Sequence, residues 1–207
     1  MNVILVTPPA SEPVTLIEAK TWLRVDTSDE DGAISALIVA ARQLVEAATR
    51  RALIAQSWRL VLDRWPFWRG GDGSLDALVG MRGPRSLELD LPLAPVTAVP
   101  GARVYDSGGQ PQPLATSLYA LVGAPERARL VFSAPPPAPG VPAGGIEIDV
   151  AAGYGLETDV PAALRQAMLL LVADWYENRG DVDATAPETL PKRVAALVAP
   201  WRRGRLA

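Results

Sequence analysis

The spacing of apolar residues changes twice along the chain, and the two changes divide it into three stretches. The first stretch reads as helical. Thr15-Leu16-Ile17-Glu18 has the form of a capping box, in which the Thr15 hydroxyl accepts from a first-turn N–H and Glu18 reaches back to the cap. A short helix follows, with Ala19, Trp22 and Leu23 as its apolar face. The polar run Asp26 to Asp31 interrupts it, and its acids suit the positive start of a second helix. That helix is expected to run to about Arg51, with Ile34, Leu37, Ile38, Ala41, Leu44, Val45 and Ala48 on one stripe.

After Ala55 the period drops to two. Trp58, Leu60 and Leu62 alternate with Arg59, Val61 and Asp63, which predicts a strand. Residues from Gly70 to Pro84 read as a long surface loop. Further strands are expected at Leu87 to Leu91, Ala102 to Tyr105, Tyr119 to Val122, Arg129 to Phe132 and Ile146 to Val150. Asp106-Ser107-Gly108-Gly109 supplies a hairpin turn, and Pro135 to Pro142 is too rich in proline for helix or inner strand. Helical spacing returns at Pro161, with Leu164, Met168, Leu171, Val172 and Trp175 on one face and Gly180 as a left-handed stop. Asp181 to Glu188 reads as a linker. Pro191 opens a last short helix carrying Val194, Leu197 and Val198, ended by Pro200.

The order is therefore helix-helix, β segment, helix-helix. Each flanking pair has an apolar stripe that it cannot bury alone, so the two pairs should pack into one unit. The expected fold class is α+β. It comprises a discontinuous four-helix unit, residues 1–55 and 156–207, and an inserted antiparallel β domain, a small barrel or sandwich, at 56–155.

Composition narrows the chemistry. The 207 residues contain neither cysteine nor histidine, which removes disulfides, thiolate zinc sites and Cys/His catalysis together. The hydrophobic fraction of 49% fits a folded domain, and no apolar run reaches the roughly 20 residues that span a bilayer. The first residues lack the features of a secretory signal, so synthesis in the cytoplasm and no membrane partner are expected. Net charge is −3, yet Lys192, Arg193, Arg202, Arg203 and Arg205 follow Pro191 with no acid among them. An acidic body thus carries a basic tail.

Candidate chemical motifs are weak. Asp29, Glu30 and Asp31 precede Gly32, but the twelfth position of a calcium loop aligned there is Ile38, so helix-start acids are the better reading. Gly153-Tyr154-Gly155 has Thr158 where a dinucleotide fingerprint needs glycine, and suits a tight turn between strand and helix. No spacing singles out a carboxylate pair for hydrolysis. No catalytic, cofactor or metal residues are therefore assigned. Two clusters suit protein contacts. Trp65, Phe67 and Trp68 either cap the β core or meet a neighbouring subunit. Trp201, with Arg202, Arg203 and Arg205, could anchor on an acidic partner, touch DNA phosphates, or remain solvated.

The run Leu164 to Arg179, ending Trp175-Tyr176-Glu177-Asn178-Arg179, resembles the third helix of phage head-tail connector proteins. Leu190-Pro191 with Leu197 to Arg202 is similar to that family's closing motif. Thr15 to Lys20, Leu23 to Asp26, Leu91-Pro92, Pro95-Val96, Val104-Tyr105-Asp106 with Gly108, Tyr119, Arg129-Leu130 and Ala152 to Gly155 also match in order. The subgroup resembled carries a β domain between helices two and three. The resemblance implies a non-enzymatic adaptor without cofactor, in the neck of a phage or gene transfer agent particle. It would form a ring, of about twelve copies in such assemblies, on the portal protein. The ring would extend the DNA channel without specific DNA binding and present a surface to a stopper or tail protein. Within that reading, Leu197, Val198, Trp201, Arg202, Arg203 and Arg205 are the expected portal clasp, and truncation after Ala199 should leave a folded monomer. The rival classes are a carbohydrate- or ligand-binding β module and a carboxylate-dependent hydrolase.

Overall fold

The computed structural model describes residues 1–66, 87–178 and 190–202. The chain divides into two compact units, one made of 1–8 and 56–152, the other of 9–55 and 153–207. The first is a β unit. Its larger sheet has the order β1 (Asn2–Thr7), β2 (Gln56–Leu62), β8 (Ile146–Ala152), β4 (Val96–Tyr105) and β5 (Pro111–Pro113). The smaller sheet is β3 (Glu88–Asp90), β7 (Arg129–Phe132) and β6 (Tyr119–Val122). Every pairing is antiparallel.

Central strand β8 shows why this sequence makes a sheet. Ile146, Ile148, Val150 and Ala152 are buried, while Glu147, Asp149 and Ala151 between them are half-buried. Opposite Asp149 on β2 stands Arg59, and opposite Glu147 on β4 stands Arg103. Arg59 Nε lies 2.7 Å from Asp149, and Arg103 reaches Glu147 at 2.5 Å and Asp149 at 3.1 Å. The outer face is thus laced across three strands, each opposite-charge pair adding about 0.2–1 kcal/mol. These pairs also fix register, since a one-residue slip would turn the charges toward the core.

The second unit is helical: α1 (Leu16–Leu23), α2 (Asp31–Thr49), α3 (Ala162–Glu177) and α4 (Lys192–Val198). Both halves of the capping box form at α1, with Glu18 N–H donating to Thr15 Oγ1 at 3.2 Å and Thr15 N–H to Glu18 Oε2 at 2.8 Å. Arg24 closes α1 and Arg50 closes α2 in left-handed conformation, φ 59° and 57°. Ile34, Ile38, Ala41 and Val45 of α2 meet Leu164, Ala167, Met168, Leu171 and Val172 of α3 in one core. Val14, Ala19, Leu53, Ile54, Val160, Val194 and Val198 complete it. By length and composition α2 could cross a membrane, but its Ile34, Ile38 and Val45 are buried in this core and Leu37 and Leu44 pack against it.

Polar clamps hold the helices in place. Lys20 of α1 pairs with Asp31 of α2 at 2.6 Å, and Tyr176 of α3 donates to Glu30. Arg165 of α3 donates to Pro13 O at 3.0 Å and to Glu18. The acids Glu30 and Asp31 therefore serve the helix start and its neighbours.

The structure departs from the sequence expectations in several places. Residues 2–7, expected with the helices, form edge strand β1 paired to β2. β4 starts at Val96, well before Ala102, and β5 appears at Pro111–Pro113. The expected antiparallel β domain is present, its strands forming two sheets among the described residues. Trp22, expected on the buried face of α1, is 46% exposed, because that face is set by Ala19 with Leu16 and Leu23. The loop at 70–84, Gly180 and the 181–188 linker lie outside the described residues.

Two outcomes follow from the helical core. Met168→Ala should destabilise the chain by about 2–5 kcal/mol, read from chemical denaturation. The Thr15 backbone N–H holds the Glu18 carboxyl below its ordinary value, with the Thr15 hydroxyl and Arg165 acting in the same direction against burial. Because its folded value is depressed, its contribution is complete above the ordinary glutamate range and is lost as pH falls through the lowered value. Glu18→Gln should therefore weaken the protein at neutral pH, with the gap from the wild type closing in acid. A gap that does not change with pH would contradict this.

Candidate functional site

The C-terminal segment is built into the helical unit through one arginine. Arg50 takes the left-handed turn at the end of α2 and is followed by Arg51. Arg51 Nε donates to Trp201 O at 2.6 Å, and its Nη1 donates to the Tyr154 hydroxyl at 2.8 Å. The guanidinium carbon stands 5.5 Å from the centre of the Trp201 ring, within range of a cation–π attraction. Tyr154 meets Trp201 edge-on, with ring centres 6.4 Å apart and planes at 82°. Three residues from distant parts of the sequence thus form one compact cluster.

Glycines on either side of Tyr154 make that placement possible. Gly153 has φ 129°, and a Cβ there would lie 2.2 Å from Ile54 O. Only a residue without a side chain lets the backbone come so close. Tyr154 N–H then donates to Leu53 O at 3.3 Å, and Ala55 N–H to Gly155 O at 3.0 Å. Gly153-Tyr154-Gly155 is accordingly a docking turn that delivers the tyrosine hydroxyl to Arg51.

The sequence-predicted residues divide sharply. Val198 is fully buried and Leu197 packs against the core, so both hold α4 in place. This corrects the expectation for Val198, which offers no surface to a portal. Trp201 is half-buried in the Arg51 cluster, and Arg202 is exposed. Arg203 and Arg205 lie outside the described residues. Trp65 is 1% exposed, set edge-on to Phe132 at 5.1 Å, and its indole N–H donates to Pro137 O at 2.9 Å. It is a core residue of the β unit, which removes it as a subunit contact. Phe67 and Trp68 lie outside the described residues.

Three structural arginines were not singled out from the sequence: Arg42, Arg51 and Arg165. Arg42 is 7% exposed between Glu12 and Glu46, each at 2.8 Å. Burial opposes its charge, but the hydrogen bonds and negative charge of those two acids outweigh it and hold the guanidinium above its ordinary value. Glu46 also accepts from Leu53 N–H at 2.8 Å, fixing the chain just beyond α2. The i, i+4 pair Arg42 and Glu46, beside the apolar stripe, was the readable signal. Arg51 and Arg165 had none, since their partners lie 103 to 152 residues away.

Among the described residues, no group of three or more acids is placed to hold a metal ion. The charged side chains in these clusters clamp elements together, and Arg202 beside Trp201 is exposed. Residues 13–91 match the model of the phage gp6-like head-tail connector protein family. Three solved chains from gene transfer agent particles match over the whole of this chain and 98% of their own. One, from the neck of an empty particle computed with C6 symmetry, is 32% identical with a TM-score of 0.74. One from a native virion is 30% identical with a TM-score of 0.75, and one from a native neck with C12 symmetry is 30% identical at 0.73. No curated protein sequence matches the chain. The chain belongs to the phage gp6-like head-tail connector family.

Arg51→Ala removes charged hydrogen bonds, each typically about 1.5–3 kcal/mol. Backbone amides from 194 to 202 should then exchange roughly tenfold faster or more. Unchanged exchange would show that Arg51 does not hold the segment.

Proposed function

We propose that this chain is a structural adaptor in the neck of a phage or gene transfer agent particle. Copies form a ring that stands on the portal protein, continues the DNA channel, and meets a stopper or tail protein below. What carries the reading is similarity along the entire chain, helical and β units alike, to chains solved in particle necks. A shared helical bundle alone would say far less. The ring is a symmetric assembly, as expected of many copies of one chain on a circular template. The acidic body suits a channel through which DNA slides, since negative side chains repel phosphates.

The basic tail is the portal-facing element in this reading. Because Trp201 is tied to Arg51 and Tyr154, the tail leaves the helical unit from a fixed point. The arginines beyond it then need an acidic partner surface. Cutting after Ala199 would disturb the helical unit as well as the tail, so the cleaner test removes only residues 203–207. Purified portal rings should capture the full chain and release it with rising salt, whereas the shortened chain binds at least about tenfold more weakly. Its unfolding midpoint should stay at the wild-type value. Equal capture of both forms would remove the tail from the portal contact, and no capture of either would refute the adaptor role.

A further inference from the structure

Among the described residues the two sheets leave four edge strands, and they differ in chemistry. β5 carries Pro111 and Pro113, which lack the N–H that a new strand would need. β3 carries Glu88 and Asp90. Both are protected in the usual ways, by proline and by charge. The remaining edges are not. β1 has no charged residue, and Ile4, Leu5 and Val6 are 45%, 41% and 49% exposed. β6, Tyr119–Val122, is also uncharged, with Leu121 36% and Val122 39% exposed. Among the described residues each pairs on one side only. Exposed apolar edges of this kind invite another strand and are otherwise an aggregation hazard.

We propose that neighbouring copies join by sheet extension, the β1 edge of one copy lying along the β6 edge of the next. This rests on the ring reading above. A closed ring needs two unlike surfaces on each copy that fit one another, because contact between like surfaces ends at a dimer. The described part of the β unit offers two unprotected edges, unlike in sequence, both apolar, with no charges to conflict. Mating them head to tail around a ring leaves no such edge uncovered. The occupant of each edge is therefore a second copy of this chain.

The absence of cysteine makes the test clean. Particles are assembled with the double variant Ile4→Cys, Leu121→Cys, or with a second pair, Leu5→Cys and Val122→Cys, then oxidised and run on a non-reducing gel. A ladder of covalent oligomers from either pair is expected, with single variants remaining monomeric. Monomers from both pairs in particles whose necks contain the chain would overturn the proposal, as would dimers from Ile4→Cys alone. The wild-type chain gives a second readout. Amides of residues 2–7 and 119–122 should exchange at least about tenfold more slowly in the assembled particle than in the free chain, and unchanged rates would overturn the pairing. Absence of the chain from necks would sink the ring reading first, and this pairing with it.

Discussion

The helical unit, which joins the two ends of the chain, depends on the packing of α2 against α3. Their apolar stripes, Ile34 to Val45 and Leu164 to Val172, lie more than a hundred residues apart and close on each other in one core. Burying a large apolar side chain contributes about 1.5–3 kcal/mol, and many are fully enclosed here. That gain has to offset the entropy of closing a very long loop. The cost grows only with the logarithm of loop length, so a whole β unit can sit between the helices at modest expense. The β unit also has its own core and its own charge lattice around β8, and so does not draw on the helical one for internal order.

Arginine is the residue that turns this scaffold into a defined object. Arg42 closes the start of the unit onto α2 through Glu12 and Glu46, Arg165 joins α3 to the capping box, and Arg51 holds the C-terminal segment. Its planar, permanently charged fork makes several directed bonds from one side chain. In an adaptor the benefit is geometric. A tail that contacts a large partner gains affinity when its point of departure is already ordered, because less freedom is lost on contact. The Gly153-Tyr154-Gly155 turn serves the same end, since it brings the Tyr154 hydroxyl within reach of Arg51.

The helices were legible because their signals are local. The Thr15–Glu18 box, the seven-residue stripe of α2 and the Pro161 start of α3 each lie within a few turns of chain. The strict alternation of β8 was equally plain. β1 was missed because Val3 to Val6 is an unbroken apolar run with no period, which reads as neither strand nor helix until its partner β2 is known. Trp22 was misplaced because an eight-residue helix spans little more than two turns, too few to separate a buried face from its margin. Trp65 could be read two ways from the sequence, and its pairing with Phe132 and Pro137, some seventy residues on, decides it. The Arg51–Tyr154–Trp201 cluster joins three positions spread over 150 residues, and no spacing rule reaches that far. Whole-chain likeness to a family supplied what local patterns could not.

Direct imaging of the neck, in particles that carry this chain, is the most searching measurement. The expected map has a ring of identical copies against the portal, each with α2 packed on α3 and its strands in the two sheets β1-β2-β8-β4-β5 and β3-β7-β6. A neck ring built from some other chain, with this one elsewhere or absent, would contradict it.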